Sequence, residues 1–278
     1  ALKLGDKLKA TRRMARAFDA AFTPKKNART ATPAEEKTEK KPFMGIPYVK
    51  EIDFEYGVVE QVSPLIRRVI ANNPGPFTYV GTGVYIIGHG NVAVIDPGPD
   101  MAEHFDRLKD ILKGETITHV LVTHGHSDHS PLAQPLAEWA GCKTYSKNCG
   151  VPTAKGELGS ADDLGFMPDV QVGDGDVISG PGWTLDVIET PGHTCNHICF
   201  KLREENACLT GDHIMGWSTT IVAPPDGNMS DYMASLDKIQ AMDFETLWPT
   251  HGSPMRTKAF VSEFIDAYRE HRLQREAA

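Results

Sequence analysis

At 278 residues the chain can bury a full core as one large or two modest domains, and its 40% hydrophobic and 24% charged content are ordinary for a soluble globular protein. No apolar run approaches the roughly 18 residues that a membrane span needs, so no span is expected. The net charge of −8 disfavours unspecific attraction to phosphate backbones, but it is unevenly placed: residues 1–42 carry +7 and the remainder −15.

Five cysteines, Cys142, Cys149, Cys195, Cys199 and Cys208, include no CxxC pair. An odd number in a chain of this size reads as free thiols in a reducing compartment, and the expected location is cytoplasmic. Residues 1–23 read as a basic amphipathic helix, with Leu4, Leu8, Ala15, Phe18 and Phe22 near one face. Such a helix can lie on a membrane or on RNA; docking on its own domain or a partner subunit is the simpler reading. No apolar signal-peptide region follows it. Residues 24–45, rich in Pro, Thr, Lys and Glu, cannot offset their ordering entropy and read as a linker. The rest, 46–278, reads as one catalytic domain.

From about residue 52 the pattern turns to strands broken by Gly and Pro. Val84–Ile87 and Val92–Ile95 flank Gly88-His89-Gly90-Asn91 as a hairpin that ends in Asp96-Pro97-Gly98. Residues 101–113 read as a helix, and His119–Val122 as a strand. The next helix is expected to take Ser130 as N-cap, Pro131 at its first position and Gly141 after its end, with Pro135 disturbing its interior. Strands over 184–189, 197–202 and 207–210 follow, then helices over 230–241 and 257–273. Mixed strands and helices of this kind predict an α/β sandwich, two sheets between helical layers.

The chemistry concentrates in Thr123-His124-Gly125-His126-Ser127-Asp128-His129-Ser130, directly after an apolar strand. Neutral imidazole and carboxylate are the donors zinc takes when no thiolate is offered. In an extended loop His124 and His126 point to one side, while Asp128 and His129, at a helix entrance, can face a second metal. Chance clustering among 11 histidines is the competing reading, and four donors in six positions at a strand end make it the weaker one. Further donors stand at later strand ends, His193 in Pro191-Gly192-His193, Asp212 after Gly211 and His251 before Gly252. Small neighbours let the backbone turn sharply at each. Cys195 and Cys199 are assigned to packing.

The combination HxHxDH, PGH, GD and a late HG resembles the metallo-β-lactamase superfamily over roughly residues 55–255. That resemblance implies a four-layer αββα sandwich with two metals at one edge. It places His124, His126 and His193 on one metal and Asp128, His129 and His251 on the other, with Asp212 bridging and Asp96 supporting a ligand histidine. Within the superfamily the chain resembles in particular the β-lactamase-like protein 2 group and its bacterial relatives, through Asn73–Thr78, Asp128–Pro131, Gly211–Thr220 and Asp231–Leu236. Gly81-Thr82-Gly83-Val84-Tyr85 departs from that group's usual GTNTY, Thr250 stands where Gly usually precedes the last ligand, and the group's winged-helix domain is not seen after His271-Arg272.

Seven donors imply a binuclear hydrolase with two zinc ions, iron or manganese staying open, in which metal-activated water attacks a substrate and Asp128 orients it and takes up its proton. No G-x-S-x-G motif offers a serine nucleophile. His197 and His213 are read as structural histidines ahead of proton donors, and Trp217 as lining the cleft or packing in the core. The expected substrate is a small carbonyl compound, an ester, thioester, lactone or lactam, with promiscuous β-lactam hydrolysis included. Cleavage of single-stranded RNA is the alternative that the β-lactamase-like protein 2 resemblance implies, and an iron-dependent sulfur dioxygenase a further one. A homo-oligomer stays open.

Overall fold

A computed structural model describes residues 45–148 and 166–277; the expected N-terminal helix and, but for Gly45, the linker lie outside them. The chain forms two sheets. The first runs β1 (Glu60–Gln61), β2 (Ile66–Ile70), β3 (Gly83–Ile87), β4 (Asn91–Ile95), β5 (Thr116–Leu121), β6 (Lys143–Ser146) and β7 (Val170–Gln171) in chain order. The second contains β8 (Val177–Gly180), β9 (Trp183–Glu189), β10 (Ile198–Leu202), β11 (Ala207–Gly211), β12 (Thr246–Pro249) and β13 (Met255–Arg256), again each beside the next. β1 to β4 pair antiparallel, β4 to β7 parallel; in the second sheet only β11 and β12 are parallel.

Period-2 alternation sorts each strand between two apolar layers. In β3, Tyr85 and Ile87 face the second sheet, where they meet Trp183, Phe200 and Trp248. Val84 and Ile86 of the same strand pack on the other face with Leu108 of α1 (Ala102–Ile111) and Leu136 of α2 (Ala133–Ala140). In β10, Phe200 points between the sheets, while Cys199 packs with Tyr232 and Leu236 of α3 (Met229–Ala241) and with Phe264 and Tyr268 of α4 (Lys258–Ala277). Both faces of each sheet are covered, so these strands read as nearly continuous apolar runs. The four layers are the expected αββα sandwich.

Three local expectations are corrected. Ser130 does not cap α2; its hydroxyl donates to the carbonyls of Gly125 and His126, and the helix begins only at Ala133. Pro135 therefore falls in the first turn, where a missing N–H has no acceptor to disappoint, and the helix is regular. Gly141 does close it, in the left-handed conformation at φ 69°. The second correction is to β5, which starts at Thr116 rather than His119. Thirdly, Cys195 is disulfide-bonded, whereas Cys142, Cys199 and Cys208 are free thiols. No helix among the described residues is long and apolar enough to cross a membrane.

Candidate metal centre

The site is built where strands of both sheets end. Asp96, the residue after β4, is fully buried and adopts φ 49°, a left-handed conformation that Asp tolerates better than most residues. There its carboxylate accepts from the Thr123 N–H and hydroxyl (both 2.8 Å), from the Thr250 hydroxyl (2.9 Å) and from His129 Nδ1 (3.0 Å). One carboxylate thus orders the loop after β5, the loop after β12 and the ring of His129, leaving that histidine's Nε2 as the atom presented to the site. Thr250 and Gly83, two of the departures from the family pattern, fit one another. A Cβ on Gly83 would stand 2.9 Å from the Thr250 carbonyl, while the Thr250 hydroxyl gives Asp96 an additional bond.

Two donor groups converge. His124, His126, His193 and Asp212 offer one ligand atom each within 4.8 Å of one another, and so do Asp128, His129 and His251. His126 Nδ1 lies 2.8 Å from His124 Nε2 and 3.1 Å from His193 Nε2. Asp212 stands between the groups. Its Oδ2 is 3.7 Å from His193 Nε2, and its Oδ1 is 3.4 Å from His251 Nε2 and 3.6 Å from His129 Nε2. All seven residues expected from the sequence are brought together, with Asp212 dividing its oxygens between the two groups.

Supporting contacts fix these rings. His193 Nδ1 meets the Ile221 carbonyl at 2.6 Å, and His251 Nδ1 the Gly81 carbonyl at 3.1 Å, so each presents Nε2 inward. The turn carrying His193 needs Gly192: at φ 136°, a Cβ there would lie 2.4 Å from the Cα of Tyr232. His129 Nε2 and Asp212 Oδ1 are buried without a hydrogen-bond partner. Two orphaned donors facing each other inside an imidazole and carboxylate cage fit divalent metal ions.

Metal binding needs neutral imidazole and ionised carboxylate, and at His124, His126, Asp128 and Asp212 the electrostatics agree, whereas His129 and His251 are held toward protonation by the carboxylates beside them. Burial, reinforced by the His193 ring, pushes His126 down to about 3; burial together with the surrounding imidazoles holds His124 well below the ordinary histidine range. Burial opposes ionisation of Asp212 and Asp128, but the adjacent His129 and His251 overcome it and hold both carboxylates ionised. Conversely, His129 is raised against its burial by Asp128, Asp212 and Asp96.

A pH dependence follows for the metal-stripped protein. His124, His126, His197 and His213 all have lowered values, about 3 for His126 and His213, whereas the unfolded chain protonates near pH 6.5. Below that pH the unfolded state binds more protons, so stability should fall as pH drops toward the folded-state values. The raised His129 and His251 are protonated in both states there and leave the slope unchanged. The expected loss is up to about 1.4 kcal/mol per pH unit for each lowered histidine. Urea midpoints at pH 6, 5.5 and 5 read it, and a flat profile would contradict it.

His197 and His213 lie fully buried behind the donor groups, and neither ring nitrogen of His213 has a hydrogen-bond partner among the described residues. His197 Nδ1 meets the Thr190 hydroxyl at 2.8 Å, and its Nε2 accepts from the Asp212 N–H at 3.2 Å; His213 is fully buried against Tyr232. Trp217 stacks on Tyr79, with ring centroids 4.7 Å apart, and does not line the cleft. Sequence reading missed the walls. The donors open into a cleft of about 280 Å³ lined by Phe77, Thr78, Met215, Ile221, Ala223 and Asp226 beside the donor residues, with no Lys or Arg among its described lining residues. Phe77 is 67% exposed and Ile221 47%, an apolar rim on two chain segments; Phe77 lies within the Asn73–Thr78 stretch that carries the resemblance, whereas no motif marks Ile221.

The profile described as Metallo-beta-lactamase superfamily matches residues 78–251. The chain is 34% identical over 222 residues to the Beta-lactamase-like protein 2 homolog of Caenorhabditis elegans, covering 78% of this chain and 70% of that one. It is also 34% identical over 198 residues to the atrochrysone carboxyl ACP thioesterase AgnL7 of Paecilomyces divaricatus, covering 70% of this chain but only 58% of that relative. Among solved structures, the metallo-beta-lactamase family protein TTHA1429 of Thermus thermophilus superposes with a TM-score of 0.65 at 20% identity, over 77% of this chain and 81% of its own. At that identity the likeness speaks for the fold alone.

Proposed function

The chain belongs to the metallo-β-lactamase superfamily, and we propose that it is a binuclear zinc hydrolase of small carbonyl substrates, with an acyl thioester as the favoured class. The observation that carries this reading is the cleft. Its donors fit two cations, while its walls, among the described residues, combine apolar side chains with Asp128, Asp212 and Asp226 and offer no basic group. An RNA strand needs repeated cationic contacts along its backbone, which such walls do not supply; an apolar acyl group suits them. The thioesterase named among the relatives acts on the same kind of bond.

When bound, the cations would acidify water toward a pKa of about 7 and polarise the carbonyl oxygen. His124, His126 and His193 would hold one, Asp128, His129 and His251 the other, and Asp212 both. Asp128 faces the cleft, with its carboxylate 3.0 Å from His251 Nε2. From there it orients the attacking water, accepts its proton and returns it to the departing thiolate or alkoxide. Phe77 and Ile221 flank the opening, bind the acyl group and exclude bulk water. Zinc is favoured by an imidazole and carboxylate set without thiolate; iron and manganese accept the same donors, and elemental analysis decides. The expected cytoplasmic location rested on five free thiols, and the disulfide at Cys195 removes that premise.

The test is turnover of the zinc-loaded protein on thioester, lactone and β-lactam reporters beside a labelled single-stranded RNA. Chelator-sensitive opening of the carbonyl reporters with intact RNA is expected. RNA cleavage without carbonyl turnover would overturn the reading.

A further inference from the structure

Thr220 and Ile221 line the metal cleft and also a second cavity of about 390 Å³, completed by Thr219, Val222, Met229, Arg272 and Arg275. Arg272 is only 9% exposed. One of its guanidinium nitrogens donates to the Thr220 carbonyl, and the group lies over the rings of Tyr232 and Tyr268 at 5.4 and 5.9 Å. Its Nε is buried without a hydrogen-bond partner, and no carboxylate among the described residues pairs with it. Arg275 is exposed in the same cavity.

A buried charge is costly unless it is paired and hydrogen-bonded. Aromatic faces offset part of that cost, but they offer no acceptor to the orphaned Nε. Two guanidiniums around one cavity, with no acidic side chain among its described lining residues, supply what a phosphate needs, several charge-assisted donors in a planar fork. The cavity is tied to the metal centre by a single backbone segment. Arg272 holds the Thr220 carbonyl, the Thr220 hydroxyl donates to the Asp212 carbonyl at 2.5 Å, and the neighbouring Ile221 carbonyl meets His193.

We propose that the Arg272–Arg275 cavity is a phosphate subsite, holding the non-reacting end of a substrate whose carbonyl occupies the adjacent cleft. The substrate class is then an acyl thioester on a phosphate-bearing carrier arm. This rests on the carbonyl-hydrolase reading for the class of substrate, but not for the binding of phosphate itself.

The zinc-loaded protein and its R275A and R275K variants test it in two ways. Calorimetric binding of inorganic phosphate should weaken about tenfold in R275A and recover in part in R275K; phosphate that binds R275A as tightly as the parent sits elsewhere and overturns the subsite. Separately, kcat/KM is compared for an acyl-coenzyme A and for the same acyl group on N-acetylcysteamine, which lacks phosphate. The preference for the former should fall about tenfold in R275A, through KM. An unchanged preference with both thioesters turned over overturns the subsite and leaves the hydrolase reading standing. Lost phosphate binding in R275A with neither thioester hydrolysed does the reverse. If R275A slows RNA cleavage instead, the phosphate belongs to a nucleic-acid backbone and the thioester assignment is overturned.

Discussion

Asp212→Ala is expected to lower turnover by about a thousandfold or more and to reduce the bound metal from two ions toward one. Asp212 is the donor whose two oxygens face the two histidine groups separately, at 3.7 Å on one side and 3.4 Å on the other. Its removal takes a ligand from each. It also leaves His129 and His251, both raised by neighbouring carboxylates, with one fewer anion to hold them. Losing about 4 kcal/mol of transition-state stabilisation corresponds to that thousandfold. The fold should survive, because the Asp212 main chain still donates to His197 and its Oδ1 makes no hydrogen bond to lose. Elemental analysis beside kcat measures the outcome; full activity with two bound ions in D212A would sink the binuclear mechanism.

Stripping the metals should cost the protein a large part of its thermal stability as well as its activity. Ions that bind only the folded state at a thousand times their dissociation constant contribute about 4 kcal/mol, which for a domain of this size is roughly 8–16 °C in melting temperature. The physical source lies in the cage. Asp96, Asp128 and Asp212 bring three carboxylates to one small region, with only His129 and His251 held toward protonation beside them. Calorimetric melts before and after chelation, then after zinc is restored, provide the measurement. A melting temperature that chelation leaves in place would mean that the donors fold without needing an ion.

The convergence of all seven candidate donors was legible in the sequence because each is a chemically conspicuous side chain at the end of an apolar strand, a position where a loop is free to turn it toward a common point. Asp96 was legible for the same reason, although its partners were not: that it binds Thr250 as well as His129 depends on the residue after β12 meeting the start of β3, where the Gly83 N–H donates to the Thr250 carbonyl, which no local pattern encodes. The αββα layering followed from continuous apolar strands alternating with helices. Ser130 misled because a serine before a proline imitates a cap, whereas here its hydroxyl is drawn to the carbonyls of the metal loop itself. The Cys195 disulfide was missed for want of any diagnostic spacing. The cleft walls and Arg272 escaped notice because Phe77, Ile221 and Arg272 are ordinary residues in their own neighbourhoods, and only the packing of α4 against the Ser218–Thr220 segment brings Arg272 near the site.

The Asp96 hub has a consequence for the order in which the molecule matures. Its partners Thr123 and Thr250 are 27 and 154 residues away in sequence, yet four of the seven donors lie within His124–His129. During synthesis, N-terminal parts emerge and fold first, so this hexad is exposed while His193, Asp212 and His251 have yet to leave the ribosome. A cation caught at that stage occupies a half-built cage whose geometry the second sheet must later accept. A cation taken up before the second sheet forms would meet only four of the seven candidate donors, so the full set exists only once both sheets are in place.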